Sequence, residues 1–181
     1  MRHREENLDW AGLQVRAIME TEFKRTDTSI LDVGAGKGKY RLVLPEYTCV
    51  DAVEIWAPYV TGYALHDVYR AVYQRDVTEL VQEFSVADVR YDVVIMGDVL
   101  EHLTVDDARI TLAWLKNIAQ DVLIIVPYNY EQGEEHGNPY QRHEQPDLTV
   151  ENMHERYPDL RLTTIQVDSA SRPFKGLYRW R

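Results

Sequence analysis

A short β-forming run, Ser29 to Val33, leads directly into three closely spaced glycines in Ile30-Leu-Asp-Val-Gly34-Ala-Gly36-Lys-Gly38. No other stretch of the chain limits its fold as much. Glycine reaches positive φ without steric penalty and lets backbone approach a bound group closely. A helix starting just beyond would aim its unpaired N–H groups at the same spot. Strand, glycine turn and helix start together make the opening of a βα unit in an open sheet. A plain tight turn meets the same spacing, so other residues must decide.

The rest of the chain continues the alternation. Leu8 to Lys24 carries apolar residues at helical spacing (Leu8, Ala11, Val15, Ile18, Met19, Phe23) and predicts a helix before the first strand. Cys49 to Ile55 predicts a second strand. Asp92 to Met96 and Val122 to Val126 are nearly continuous in apolar residues, as strands covered on both faces must be. Between them, Thr104 and Asp107 read as a capping box for a helix burying Ile110, Ala113, Trp114 and Leu115 to Ile118. A further helix is expected over Val77 to Phe84, and two late strands over Leu160 to Val167 and Gly176 to Trp180. Alternating strands and helices argue for right-handed βαβ units in a mostly parallel sheet with helices on both faces. With 181 residues and no repeat, one domain is expected.

Two acids sit where a nucleoside would need them. Glu54 closes the second strand 20 residues after Gly34, where a carboxylate can accept both hydroxyls of a ribose diol; an ordinary surface acid also fits. Asp76 stands at the expected end of the third strand. It is placed to accept from an adenine amino group, or to cap the helix that follows. A dinucleotide fingerprint would put a third glycine at position 39, which is Lys39, so a nicotinamide-dependent reductase is disfavoured.

Ile30 to Gly38, Val53-Glu54-Ile55, Asp76-Val77 and Asp92-Val-Val-Ile-Met-Gly97-Asp98 resemble, in order and spacing, the class I S-adenosylmethionine-dependent methyltransferases. The resemblance spans about residues 29 to 127. It implies a Rossmann-like seven-stranded sheet whose last strand is antiparallel, and S-adenosylmethionine as cofactor. It also implies a cofactor site built from Asp32, Gly34, Ala35, Gly36, Glu54, Ile55, Asp76, Val77 and Asp98. Gly34 to Gly36 would line the methionine part, Glu54 would hold the ribose, and Ile55, Asp76 and Val77 would surround the adenine. The segment from Gly38 to Pro45 is shorter than the helix that the family often has there.

Asp98, Glu101 and His102 follow the fourth strand at i, i+3 and i+4, one face of a helical turn. Two carboxylates and an imidazole suit a divalent cation such as Mg²⁺, Mn²⁺ or Zn²⁺. An Asp98–Glu101 capping box is the competing reading. The stretch resembles the E-x-x-E-H motif of small-RNA 2′-O-methyltransferases and of the O-methyltransferases of ubiquinone synthesis, with Asp98 in the first place. That resemblance implies a metal and a later histidine, His143 or, as second choice, His136. Without a metal, His102 or His143 would be the catalytic base, since an imidazole titrates near neutrality.

Pro127 to Thr149, rich in Tyr128, Tyr130, Tyr140 and histidines, is the expected substrate loop. The acceptor is expected to be a small molecule or the end of a macromolecule, methylated on O or N. A net charge of −10 disfavours a nucleic-acid surface. Arg172, Lys175, Arg179 and Arg181 are expected to be a solvated strand end rather than a binding patch. The position after strand four lacks the Asn- or Asp-Pro-Pro run by which adenine-N6 enzymes resemble one another. The single cysteine, Cys49, opens strand two, which excludes a cytosine-C5 nucleophile. A lone cysteine, a charged start at Met1 to Asn7 and no apolar run long enough for a bilayer predict a cytoplasmic protein with no membrane partner. A non-catalytic module binding S-adenosylmethionine or S-adenosylhomocysteine is the alternative reading.

Overall fold

A computed structural model describes residues 8–83 and 90–181. The charged start and Phe84 therefore lie outside the described residues. In chain order the elements are α1 (Trp10–Glu22), β1 (Ser29–Val33), α2 (Lys39–Val43), β2 (Cys49–Val53), α3 (Ala57–Gly62), α4 (Leu65–Val68), β3 (Ala71–Tyr73) and α5 (Val77–Glu83). There follow β4 (Tyr91–Gly97), α6 (Val105–Ile118), β5 (Ala119–Pro127), α7 (Val150–Arg156), β6 (Arg161–Val167) and β7 (Pro173–Trp180). The strands form one sheet in the order β3-β2-β1-β4-β5-β7-β6. β1 to β5 pair in parallel, and β7 runs antiparallel to both β5 and β6. The expected seven-stranded α/β architecture, with its antiparallel final strand, is what forms.

Apolar side chains alternate between the two faces of the sheet. Ile30, Val50, Val93, Ile95, Leu123 and Ile125 pack under α1, α2 and α4. Leu31, Val33, Val94, Met96, Val122 and Ile124 pack under α5, α6 and α7. Both layers are therefore dry, and each fully buried aliphatic side chain contributes about 1.5–3 kcal/mol. The α6 cap forms as expected, with the Asp107 N–H donating to Thr104 Oγ1 at 3.2 Å. Of its expected buried face, Trp114, Leu115 and Ile118 are buried, joined by Ala108, Thr111 and Leu112, whereas Ile110 is 54% exposed and Ala113 is exposed. Helical spacing alone accepts either phase, and the position of the sheet selects one.

The basic C-terminal strand is not a uniformly solvated end. Arg179 reaches across to the buried Asp121 on β5 and donates to both oxygens of Glu22 at 2.7 Å, tying the end of α1 to β5 and β7. Lys175 also turns inward, while Arg172 and Arg181 remain exposed. The hydrogen bonds from Arg179 pull the Glu22 carboxyl down from 4.5 to about 2. A depressed carboxylate adds stability that is complete above about 4.5 and disappears as pH falls toward 2. The melting temperature of Glu22→Gln should accordingly lie below that of the parent at neutral pH and converge on it through that acid window.

Candidate functional site

The carboxyl ends of β1, β2 and β4 meet at one edge of the sheet, and the glycine loop lies there. Gly34, Gly36 and Gly38 all adopt positive φ, at 70°, 56° and 78°. A Cβ on Gly34 would come within 2.2 Å of Val99 Cγ2, so glycine is required by contact as well as by φ. The loop amides are themselves paired. Gly34 and Ala35 donate to Val53 O at 2.8 and 3.0 Å, and Gly36 donates to Glu54 Oε2 at 2.7 Å. The helix behind the loop, α2, has only five residues.

A cavity of about 270 Å³ opens over this edge. Gly34, Gly36, Glu54 and Ile55 line it on one side, and Asp76 and Val77 on another. Glu54 is 5% exposed and holds two backbone amides, Gly36 N on Oε2 and Trp56 N on Oε1 at 2.8 Å. Each oxygen keeps a second lone pair. Burial raises the Glu54 pKa above the ordinary glutamate value. Asp76 does cap α5, accepting from Thr78 N and Thr78 Oγ1 at 2.8 Å on a single oxygen. Cap and cavity wall thus coexist at this residue.

Two residues of the expected set, Asp32 and Ala35, are buried and do not line the cavity. Asp32 accepts a short hydrogen bond from the Tyr69 hydroxyl, and its other oxygen has no partner among the described residues. Burial lifts its pKa to about 7.

Beyond β4 the chain does not form the helical turn that the sequence suggested. Gly97 is pressed against Tyr40, whose hydroxyl would lie 2.1 Å from a Cβ there. Asp98 then adopts a left-handed φ of 57°, and a single 3₁₀ turn follows over Leu100–His102. No Asp98–Glu101 capping box forms. Asp98 instead accepts from Lys175 at 2.6 Å, with Lys39 at 3.7 Å from its other oxygen.

Among the described residues, Glu101, His102 and His143 bring one potential ligand atom each to within 4.8 Å of one another. Asp98 is not in this group, and His136 is exposed on the loop. Glu101 is 1% exposed, and neither of its oxygens has a hydrogen-bond partner among the described residues. Burial, and then the charge of Asp98, push its pKa well up. His102 Nδ1 lies 3.0 Å from Arg142 O, and His143 Nδ1 lies 2.6 Å from Tyr130 O. A carbonyl only accepts, so each Nδ1 donates to it. Burial lowers the His102 pKa, which keeps that ring neutral.

The loop from Pro127 to Thr149 folds over both features. Its 3₁₀ turn, Pro139–Gln141, together with Asn138, Arg142 and Glu144, lines the same cavity as Glu54. Tyr130, Phe174 and Lys175 rim a second pocket of about 280 Å³ beside Glu101 and the two histidines; Asp98, His102 and Gln141 border both spaces. Tyr128 does not face the site: it is buried, with its hydroxyl 2.7 Å from that of Tyr178. Glu131, Glu134 and Glu135 are exposed.

Two site residues escape sequence reasoning. Gln145 is 2% exposed and donates to Leu100 O and Leu103 O, locking the loop to the 3₁₀ turn. Lys175 reaches Asp98 because β7 pairs with β5 in the register Pro127↔Lys175. Neither carries a local signal, since both depend on long-range pairing.

Neither a protein-family model nor a curated protein matches this chain. Solved structures do match. The magnesium protoporphyrin IX methyltransferase of Synechocystis, with S-adenosylmethionine bound, superposes with a TM-score of 0.62 at 14% identity, covering 98% of this chain and 78% of that one. The 1,6-didemethyltoxoflavin-N1-methyltransferase of Burkholderia thailandensis, with S-adenosylhomocysteine bound, gives 0.66 at 20% identity over 94% and 77%. A S-adenosylmethionine-dependent methyltransferase of Clostridium acetobutylicum gives 0.66 at 12% identity over 97% and 94%. The fold is that of class I S-adenosylmethionine-dependent methyltransferases. No helix among the described residues is long and apolar enough to cross a membrane.

Proposed function

We propose that this chain is a S-adenosylmethionine-dependent methyltransferase acting on an oxygen or nitrogen of a small molecule or a macromolecular end. The observation that carries the reading is the cavity at the strand ends, where Glu54, Ile55, Asp76 and the glycine loop meet beside a buried Glu-His-His group. Glu54 has lone pairs left for a ribose diol, Ile55 and Val77 offer apolar contact to an adenine, and Gly34 and Gly36 leave room for the methionine end. The lone cysteine supports a reducing, cytoplasmic setting. One domain, spanning residues 1–181, is enough for this function.

In the reaction the methyl carbon leaves the sulfonium sulfur and bonds to the acceptor atom, which gives up its proton; the cofactor departs as a neutral thioether. Alignment of acceptor and methyl supplies much of the rate. The second pocket, reached past His102, is where the acceptor belongs. His102, whose ring burial keeps neutral, is suited to receiving the acceptor proton, with the His143 ring beside it at 4.7 Å between centroids.

The same three residues fit a divalent metal. A buried carboxylate with both oxygens unpartnered is costly unless paired or ligated, and imidazoles whose Nδ1 protons are held by carbonyls are oriented as metal ligands usually are. Glu101, His102 and His143 would hold the ion, with one oxygen and two nitrogen donors favouring Mn²⁺ or Zn²⁺ over Mg²⁺. When bound, the ion would lower the pKa of an acceptor hydroxyl and fix its position.

Calorimetric titration tests the cofactor. S-adenosylhomocysteine should bind with micromolar affinity and NAD should not. Failure to bind S-adenosylhomocysteine overturns the reading. Conversion of S-adenosylmethionine to S-adenosylhomocysteine with hydroxyl or amine acceptors then separates an enzyme from a binding module, which would bind without turnover.

A further inference from the structure

The loop that walls the cofactor cavity is tied to the Glu101–His102 turn, and its own His143 ties its two legs together. The Tyr130 carbonyl, on the incoming leg, is held by His143 Nδ1 at 2.6 Å. The Arg142 carbonyl, on the outgoing leg, is held by His102 Nδ1 at 3.0 Å. Glu144 N and Gln145 N both donate to the Glu101 carbonyl, at 2.9 and 3.0 Å. The legs are joined to each other where His143 N donates to Gln132 O at 3.0 Å and Gln132 Nε2 donates to Gln141 O at 2.7 Å. Between these anchors run residues that line the cavity, Asn138 to Arg142.

The loop is braced further by Gln145 Nε2 on Leu100 O and Leu103 O, and by Asn138, whose N donates to Glu135 O and whose Oδ1 accepts from Tyr140 N. A Cβ on either Gly133 or Gly137 would meet nothing within 4 Å, and Asn129, His136 and Gly137 adopt left-handed φ. The imidazole anchors stand at both ends of this wall of the cavity and help to set its position. Both imidazole anchors belong to the group in which Glu101, His102 and His143 each bring one potential ligand atom to within 4.8 Å of the others, and with each Nδ1 on a carbonyl, Nε2 is the nitrogen left for an ion.

We infer that Glu101, His102 and His143 form a latch through which a divalent cation and the cofactor bind cooperatively. The inference rests on the metal reading above. Drawing the two Nε2 atoms and the carboxylate onto one ion fixes both rings. Their Nδ1 protons then hold the Tyr130 and Arg142 carbonyls in one geometry. The Asn138–Arg142 wall is set before the cofactor arrives, so less ordering is lost on binding. Coupling of this kind is reciprocal: the cofactor must tighten the metal by the same factor.

The test uses the full chain, Mn²⁺ and, in parallel, Zn²⁺, with S-adenosylhomocysteine as the cofactor probe. Its thioether is uncharged, so direct repulsion between ion and sulfonium does not enter. Metal binding is measured first without cofactor, by electron paramagnetic resonance for Mn²⁺ and by competition with a chromophoric chelator for Zn²⁺. Calorimetry with chelated and with metal-saturated protein then gives the coupling, and amide hydrogen exchange follows residues 130–145. The expected result is tighter S-adenosylhomocysteine binding by roughly 5- to 150-fold, with slower exchange in that loop on adding metal alone. Metal that binds while affinity and exchange stay unchanged overturns the latch and leaves the metal reading standing. Metal that fails to bind removes both. Tighter cofactor binding with unchanged loop exchange also overturns the latch, because the coupling would then bypass the loop.

Discussion

Glu101→Leu should raise the stability of the metal-free protein and, in the same molecule, abolish metal binding. The glutamate is 1% exposed, its oxygens have no hydrogen-bond partner among the described residues, and burial beside Asp98 works against its charged form. A buried polar group left unsatisfied costs about 1–3 kcal/mol, so an apolar side chain of similar size should recover about that much in urea denaturation with chelator present. Loss of a partner to a ligating histidine already weakens metal binding by roughly 10–100-fold, and loss of a ligand itself should exceed this range. Mn²⁺ or Zn²⁺ titration of the variant measures it. A gain in stability alongside a lost ligand marks a residue kept for function against its folding cost. A variant that is destabilised, yet binds metal as the parent does, would show that Glu101 serves packing alone.

The second large effect is expected at Glu54. Glu54→Ala should weaken S-adenosylhomocysteine binding by about 1.5–3 kcal/mol, the value typical of hydrogen bonds to a charged group, or roughly 10- to 150-fold. The variant also frees the amides of Gly36 and Trp56, so part of the loss would come through the glycine loop. S-adenosylhomocysteine and its 2′,3′-dideoxyribose analogue separate the two contributions: if the carboxylate holds the diol, the parent discriminates between them and the variant does not. Equal discrimination in both proteins would remove Glu54 from the ribose. Because burial raises the Glu54 pKa, this discrimination should fade at milder acidity than an exposed glutamate would allow.

Glu54, Asp76 and the glycine loop were legible because their signals are local. Each lies at the end of a strand whose apolar run the sequence displays, and in a parallel sheet those ends meet at one edge. Asp32 belongs to the same run but points the other way: strand side chains alternate between faces, and its carboxylate meets Tyr69 on the side away from the cavity. The loop expected to cover the site does so, yet it turns one of its three tyrosines, Tyr128, into the core to meet Tyr178.

What the sequence by itself determined is the order of strands and helices, the parallel sheet they make, the place of the glycine turn and the acids beside it. Periodicity and turn chemistry act over a few residues, and they were enough for that. Only the tertiary structure decided which carboxylate joins the histidines. Helical spacing offered Asp98 and Glu101 as equals. A left-handed residue at Asp98, the β7 register that brings Lys175 to it, and the return of the loop that delivers His143 gave the place to Glu101. Those contacts join residues 40 to 77 positions apart, and a pattern read along the chain carries no information about which way two such distant segments meet.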